Sequence, residues 1–362
     1  MYLSRLELVG FRNIAPVRLQ LPAGTVLVTG DNGSGKTSLL EAVWLLGTGR
    51  SFRSNRITPV ITYEAASLTV YGEVLHDDGR RVALGITRGR AGDSEIKVAG
   101  ERVQAASLLA AELPVQLINP DSVEIVTGLP GRRRQFIDWG TFHVEHSFLD
   151  VWKAFRRSLG QRNALLRSGR AGQTEFELWE ERLAISAEAL DASRRAYVER
   201  LAPGVRETLD ALGLSEEVGL HYASGWDREQ NLLSLLAAQR DQDRESGYTR
   251  VGPQRADLRL VSHGRRAPEV LSRGQQKILA CALLVAQGRL LESATDKTGV
   301  YLVDDLPAEL DSDHRLRLGR ALAALKGQVI VTAVQRDLVL EGLGHAEALA
   351  MFHVEHGHVT PE

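Results

Sequence analysis

Gly30-Asp31-Asn32-Gly33-Ser34-Gly35-Lys36-Thr37 combines a glycine-rich turn with a lysine and a hydroxyl at the spacing of a P-loop. The chemistry such a stretch performs is phosphate binding. Glycines let successive backbone N–H groups converge on an anion, and a helix that starts there adds the positive end of its dipole. Lys36 would reach the β- and γ-phosphates of a nucleotide, and the Thr37 hydroxyl would ligate Mg2+. The flanks fit: the apolar run Thr25-Val26-Leu27-Val28-Thr29 predicts a strand, and residues 38–46 predict an amphipathic helix.

Far downstream, Leu271-Ser272-Arg273-Gly274-Gln275-Gln276-Lys277 resembles the signature motif of ABC-type ATPases. Val300-Tyr301-Leu302-Val303 then predicts a strand that ends in Asp304 and Asp305, and Ala308-Glu309-Leu310-Asp311 falls where that superfamily carries its D-loop. Phosphoryl transfer to water needs phosphates held, a metal held and a water oriented. Asp304 would join Thr37 at the metal, through water. Asp305 would polarise the attacking water where many such ATPases carry a glutamate; being one methylene shorter, it predicts slow turnover. By the same resemblance, Ser272 with Gly274 and Gln275 at the start of their helix would cap the γ-phosphate held by a second copy of the chain. ATP would then join two subunits, and hydrolysis would release them.

The elements that position these residues alternate in kind. Short strands before residue 30 are followed from Val60 to Val98 by alternating runs with a turn at His76-Asp77-Asp78-Gly79, which predicts an antiparallel meander beside the nucleotide site. Helical periodicity takes over between about Phe148 and Arg200. Pro203-Gly204 predicts a break there, with a further helix near residues 205–212. The expected architecture is α/β: an ABC-type, SMC-like P-loop ATPase core formed by residues 1–145 and 246–362, with an α-helical subdomain, 146–245, inserted between. With 362 residues there is room for both.

The net charge of −2 gives no global attraction for nucleic acid, so any such contact must come from a local patch. The single cysteine, Cys281, sits in an apolar run and excludes a disulfide within the chain. No apolar stretch is long enough to span a bilayer, and the first residues lack a signal-peptide layout, so a cytoplasmic protein with no membrane partner is expected.

With those motifs in place, further stretches resemble the RecF family of ABC/SMC-like ATPases. They are Leu8-Val9-Gly10-Phe11-Arg12-Asn13, Gly49-Arg50-Ser51-Phe52-Arg53, the run from Pro130 to Gly140, Gln161-Arg162-Asn163-Ala164-Leu165-Leu166, and Gly252-Pro253-Gln254-Arg255 with Gln254 in place of the usual histidine. The resemblance implies an ATP- and Mg2+-dependent homodimer on double-stranded DNA near single-strand/duplex junctions. There it would act with RecR and RecO to place RecA at gaps, in replication, repair and the SOS response. It also implies that Arg12 and Asn13 lie near the nucleotide, and that Gln116 is the Q-loop glutamine sensing metal and γ-phosphate. Where transporters usually carry a switch histidine, Thr332-Ala333-Val334 has none. The alternative reading is the ATP-binding subunit of a membrane transporter. Against it, the P-loop and signature stand unusually far apart, and Arg273 interrupts the usual glycine pair.

Two signals remain. Arg132-Arg133-Arg134 is the densest positive run; with Arg50, Arg53 and Arg56 it is a candidate grip on DNA phosphates. Phe142-His143-Val144-Glu145-His146 recurs as Phe352-His353-Val354-Glu355-His356, with no third ligand spaced to make a metal site. Because His-Val can be encoded by a palindrome, the C-terminal copy is also compatible with a DNA element echoed in the peptide.

Overall fold

The computed structural model describes residues 1–168, 172–305, 310–336, 341–343 and 350–362. They form two compact units. The first comprises Met1–Ser122, Thr208–Leu214 and Lys277–Glu362; the second comprises Val123–Glu207 and Ser215–Gln276.

Two sheets build the first unit. Strands β1 (Tyr2–Val9), β2 (Val17–Gln20), β4 (Ser67–Leu75), β5 (Arg81–Gly89), β6 (Ser94–Val98) and β7 (Glu101–Val103) pair antiparallel in the order β2-β1-β4-β5-β6-β7, the expected meander. Their alternation is read directly from the sequence: Leu68, Val70 and Val74 of β4 and Val82, Leu84 and Ile86 of β5 point inward and are buried. The second sheet has the order β15-β14-β3-β13-β12-β8. It combines β3 (Thr25–Thr29), β8 (Val115–Ile118), β12 (Val300–Val303), β13 (Gln328–Ala333) and β14 (Ala350–Glu355), all parallel, with the antiparallel β15 (His358–Pro361). Parallel strands covered on both faces need apolar side chains on both, which is why Thr25–Thr29 and Val300–Val303 read as unbroken runs and are buried throughout.

Helix α1 (Lys36–Thr48) follows the P-loop and is apolar nearly all round, because it shares one core with both sheets. Leu39, Leu40, Val43 and Leu46 meet Leu3, Leu6 and Val70 of the meander and Val26, Val28, Leu302 and Ile330 of the parallel sheet. The short helix α2 (Ser107–Glu112) lies before β8.

The second unit holds α3 (Glu124–Thr127), α4 (Pro130–Val144), α5 (Phe148–Ser168), most of α6 (Gln173–Leu212), α7 (Leu232–Ala238), α8 (Arg240–Ser246) and α9 (Ala267–Val270). It also holds a sheet of β9 (Gly219–Ala223), β10 (Asp257–Ser262) and β11 (Arg265–Arg266) in the order β11-β10-β9. Helix α10 (Arg273–Ala294) begins in this unit and continues in the first, where α11 (Ser312–Ala323) also lies. Phe148, Phe155, Leu159, Leu183, Leu190 and Leu236 form the apolar core of the second unit.

Arg162 lies beside this core and is 0 % exposed. Its guanidinium donates to Glu180 Oε1 (3.1 Å), Asp243 Oδ2 (2.7 Å), Thr249 Oγ1 (2.8 Å) and the Leu236 carbonyl (2.8 Å). A buried charge is tolerable only when so fully satisfied. The 161–166 stretch that stood out in the sequence is therefore the hub that ties α5 to α6, α7 and α8.

Two boundaries differ from expectation. The second unit is larger than 146–245, since the β9–β10 pairing and the Arg133–Asp257 ion pair draw residues 123–145 and 246–276 into it. And α6 is continuous through Pro203. Leu201, Val205, Leu209 and Leu212 stay buried at helical spacing on both sides, so packing outweighs the hydrogen bond that proline cannot make, a loss of about 3 kcal/mol.

Candidate nucleotide site and comparisons

Strands β3, β12 and β13 run parallel and end together, so the loops at their carboxyl ends converge. The P-loop leaves β3. Gly30 has φ +145°, and a Cβ there would stand 2.3 Å from the Val354 carbonyl, so only glycine permits this approach to β14. Lys36 is buried and its ammonium donates to the Gly30 carbonyl (2.7 Å) and the Asp31 carbonyl (2.9 Å), which closes the loop around it. Burial lowers the Lys36 pKa against the opposing pull of Asp305, Asp304 and Asp31.

At the end of β12, Asp304 Oδ1 accepts from Thr37 Oγ1 (2.9 Å) and from Thr332 Oγ1 (3.0 Å). Thr332 Oγ1 in turn accepts from the Asp305 backbone N–H (2.8 Å). Burial pushes the Asp304 carboxyl above the ordinary aspartate range and the nearby Asp305 charge adds to this, while the two threonine hydrogen bonds oppose it. Asp305 sits at φ +50°, a left-handed conformation that aspartate adopts at a cost. Thr37 and Asp304 thus form an all-oxygen donor pair at hydrogen-bond distance, the hard-donor chemistry that suits Mg2+.

These groups border a cavity of about 710 Å3. Asn32, Gly33, Gly35, Lys36 and Thr37 form its floor, and Asp304, Asp305 and Thr332 one wall. Arg12, Asn13 and Arg53 line it as well, and Pro59, Ile61 and the 93 % exposed Tyr63 give it an apolar edge. Asn13 Nδ2 donates to the carbonyls of Gly33 (3.4 Å) and Ser34 (3.3 Å), and its Oδ1 accepts from Ser38 (3.0 Å), so it braces the loop. Arg12, at φ +50°, forms a two-point ion pair with the fully buried Glu41 of α1 (2.9 and 2.7 Å). Glu41 also accepts from Ser51 and lies 3.5 Å from Arg53. Arg90 donates to the carbonyls of Ile61, Thr62, Tyr63 and Ala65 and fixes the apolar edge.

The C-terminal hairpin supports the same loop. The Gly357 N–H donates to the Ser34 carbonyl (2.9 Å), and the Gly357 carbonyl accepts from the Ala15 N–H (3.0 Å). Gly357 has φ +83°, and a Cβ would fall 1.9 Å from the Asn13 carbonyl. The repeated pentapeptide thus takes two forms. Phe142 to Val144 end helix α4, whereas Phe352 to Glu355 lie in β14 with Phe352 and Val354 in the core. No group of three or more metal-ligating side chains gathers among the described residues.

Other expected site residues lie elsewhere. Gln116 does not reach the cavity: it sits mid-strand in β8 opposite Tyr301, is buried, and donates to Gln287 Oε1 (3.0 Å). The residue level with Asp304 is Asn119, since the Asp304 N–H donates to the Ile118 carbonyl (2.8 Å). Ser272 caps α10 in a reciprocal capping box: the Ser272 N–H donates to Gln275 Oε1 (2.8 Å), and the Gln275 N–H donates to Ser272 Oγ (3.3 Å). Gly274 lies between them in the first turn. Of the D-loop, Ala308 and Glu309 lie outside the described residues, and Asp311 caps α11 by accepting from the His314 N–H (3.0 Å).

The arginine triplet is not a free phosphate grip. Arg133 is 3 % exposed and paired with Asp257 (2.7 Å), Arg134 donates to the Ala256 carbonyl (2.7 Å), and Arg132 pairs with Glu124 (2.7 Å). Three arginines in a row on a helix point three ways, and two of these turn into the unit. Arg50 and Arg56 are exposed.

A P-loop between a strand and a helix, with a carboxylate at the end of a neighbouring parallel strand, defines a nucleotide-binding α/β head of the SMC type. The family model for the RecF/RecN/SMC N-terminal domain matches residues 2–360. The DNA replication and repair protein RecF of Stutzerimonas stutzeri (strain A1501) is 48% identical over 360 residues, 99% of this chain and 97% of the relative. RecF of Pseudomonas aeruginosa (strain LESB58) is 46% identical over the same length, 98% of that relative. A solved structure of the recombination mediator protein RecF with ATP, from the RecFOR pathway, superposes with a TM-score of 0.88 at 25% identity, covering 100% of this chain and 97% of the other. An Smc head bound to the C-terminal winged-helix domain of ScpA shares the fold, with a TM-score of 0.62 at 17% identity over 100% of this chain and 97% of the other. The chain therefore belongs to the RecF family of DNA replication and repair proteins. A full-length match of this kind does not favour a transporter subunit. No described helix is long and apolar enough to cross a membrane.

Proposed function

We propose that the chain is an ATP-driven switch that clamps double-stranded DNA near single-strand/duplex junctions and, with RecR and RecO, promotes the placing of RecA at gaps. The observation that carries this reading is the cavity in which Lys36, Thr37, Asp304 and Thr332 converge, on a chain that matches the repair family end to end. ATP would lie with its phosphates on the loop amides and Lys36. Thr37 and Asp304 would hold Mg2+, which when bound neutralises phosphate charge. Asp305, at the cavity wall, would orient the attacking water and accept its proton. Asn13 braces the loop, and Arg12 and Arg53, held by Glu41, present positive charge to the phosphates. The exposed capping serine, Ser272, with the first turn of α10 would close on the γ-phosphate of a second copy, so ADP would not hold the dimer.

Sedimentation with ATP, ADP and no nucleotide tests this. The wild type should dimerise only with ATP. Lys36→Met should remain monomeric, and Ser272→Arg should bind ATP yet fail to dimerise. A Ser272→Arg protein that dimerises normally would remove the cross-subunit role.

A further inference from the structure

Away from the nucleotide cavity, a cleft of about 320 Å3 opens in the first unit between the end of α6, α10 and α11. It is lined by Ala211, Arg289, Asp313, Arg317, Arg320 and Ala321. Three guanidinium groups face one carboxylate, and that carboxylate is taken by Arg317 (2.8 Å, one turn apart on α11). Arg289 makes only a long contact with Thr208 Oγ1 (3.5 Å), and the exposed Arg320 has no hydrogen bond or ion pair from its side chain among the described residues. Two positive charges are thus left over around a concavity, on a chain whose net charge is −2. Like charges gathered without counter-charges repel, and an anion bound between them relieves that repulsion. Guanidinium forks match phosphate oxygens two at a time. The walls offer no apolar pocket for a base, only the methyl groups of Ala211 and Ala321.

We propose that this cleft is a phosphate-binding site that grips the phosphodiester backbone of DNA. Arg289 and Arg320 would supply the contacts, and Arg317 would be held in place by Asp313. The assignment rests on the DNA-binding reading above and gives that reading a location, since the arginine triplet at 132–134 is engaged within its own unit. Such contacts grip without reading sequence and release counterions, so each contributes to the salt dependence of binding.

The test is duplex-DNA binding with ATP across a salt series for the wild type, Arg289→Gln/Arg320→Gln, and Arg320→Glu alone, whose surface position spares the fold. The double variant should lose roughly tenfold in affinity, and its log–log salt slope should fall by about 2. Arg320→Glu should lose affinity too, while ATP binding is unchanged in both. If the wild type binds DNA and both variants match it in affinity and slope, the cleft is refuted while the DNA reading stands. If the wild type binds no duplex at any salt concentration, both fall. Calorimetry with inorganic pyrophosphate, in a Lys36→Met background that disables the P-loop, separates the sources of phosphate. Uptake that needs Arg289 and Arg320 without any change in DNA affinity would make a free phosphate compound the ligand and overturn the DNA assignment.

Discussion

At the scale of single residues, Asp304 carries the chemistry most exposed to test. Its carboxyl is held above its ordinary value by burial, so at a pH between the two values the folded protein keeps a proton that the unfolded chain has lost. Stability from this group is therefore present at low pH and declines as pH rises through the raised value. In the proposed role metal binding would run the other way: Mg2+ would have to displace that proton, so Mg2+-dependent ATP affinity should strengthen as pH rises through the same interval. Asp304→Asn should lose both the metal requirement and this pH dependence, measured by nucleotide titration with and without Mg2+; an unchanged pH profile would take the carboxylate out of metal binding. The P-loop and both aspartates were legible in the sequence because phosphate chemistry fixes residue type and spacing together. Glu41, Arg90 and Thr332 were not, because each acts through a partner brought near by folding. Gln116 lies away from the cavity because strand position, not residue type, decides what reaches it: it sits three residues before Asn119, the residue level with Asp304, and its amide stays in the core.

Elements were legible where periodicity and punctuation agreed, as in the meander and the strand–loop–helix of the nucleotide site. One was misread where long-range packing overrode a local rule, as at Pro203, and the repeated pentapeptide, a helix end in one copy and a strand in the other, shows that five residues alone do not fix an element. The C-terminal hairpin shows how far an element can act from its own sequence, since its turn holds the P-loop backbone. Gly357→Val should weaken ATP binding by roughly tenfold, the about 1.4 kcal/mol that one strained turn and a lost backbone hydrogen bond represent. Wild-type affinity in that variant would reduce the hairpin to a passive edge. In the second unit, Arg162→Ala would leave Glu180 and Asp243 buried with only Arg240 and Arg250 beside them. Denaturant unfolding should register a loss of about 3–5 kcal/mol. A loss under 1 kcal/mol would mean that the hub is dispensable.

For the whole molecule, the P-loop lies in one unit and the Ser272 cap stands at the head of a helix that begins in the other, and the proposed function makes these the two halves of a nucleotide clamp carried by one chain. In the proposed mechanism each half works with a second copy, so binding energy that appears only in the ATP-bound dimer drives the switch. In that mechanism aspartate at position 305, shorter than glutamate, would make the chain a timer more than a fast hydrolase. The most direct test is steady-state ATP hydrolysis as a function of protein concentration, with and without gapped duplex DNA. A more-than-linear rise with concentration, sharpened by DNA, is the predicted result. A specific activity that is flat in concentration and indifferent to DNA would contradict the composite, DNA-responsive site.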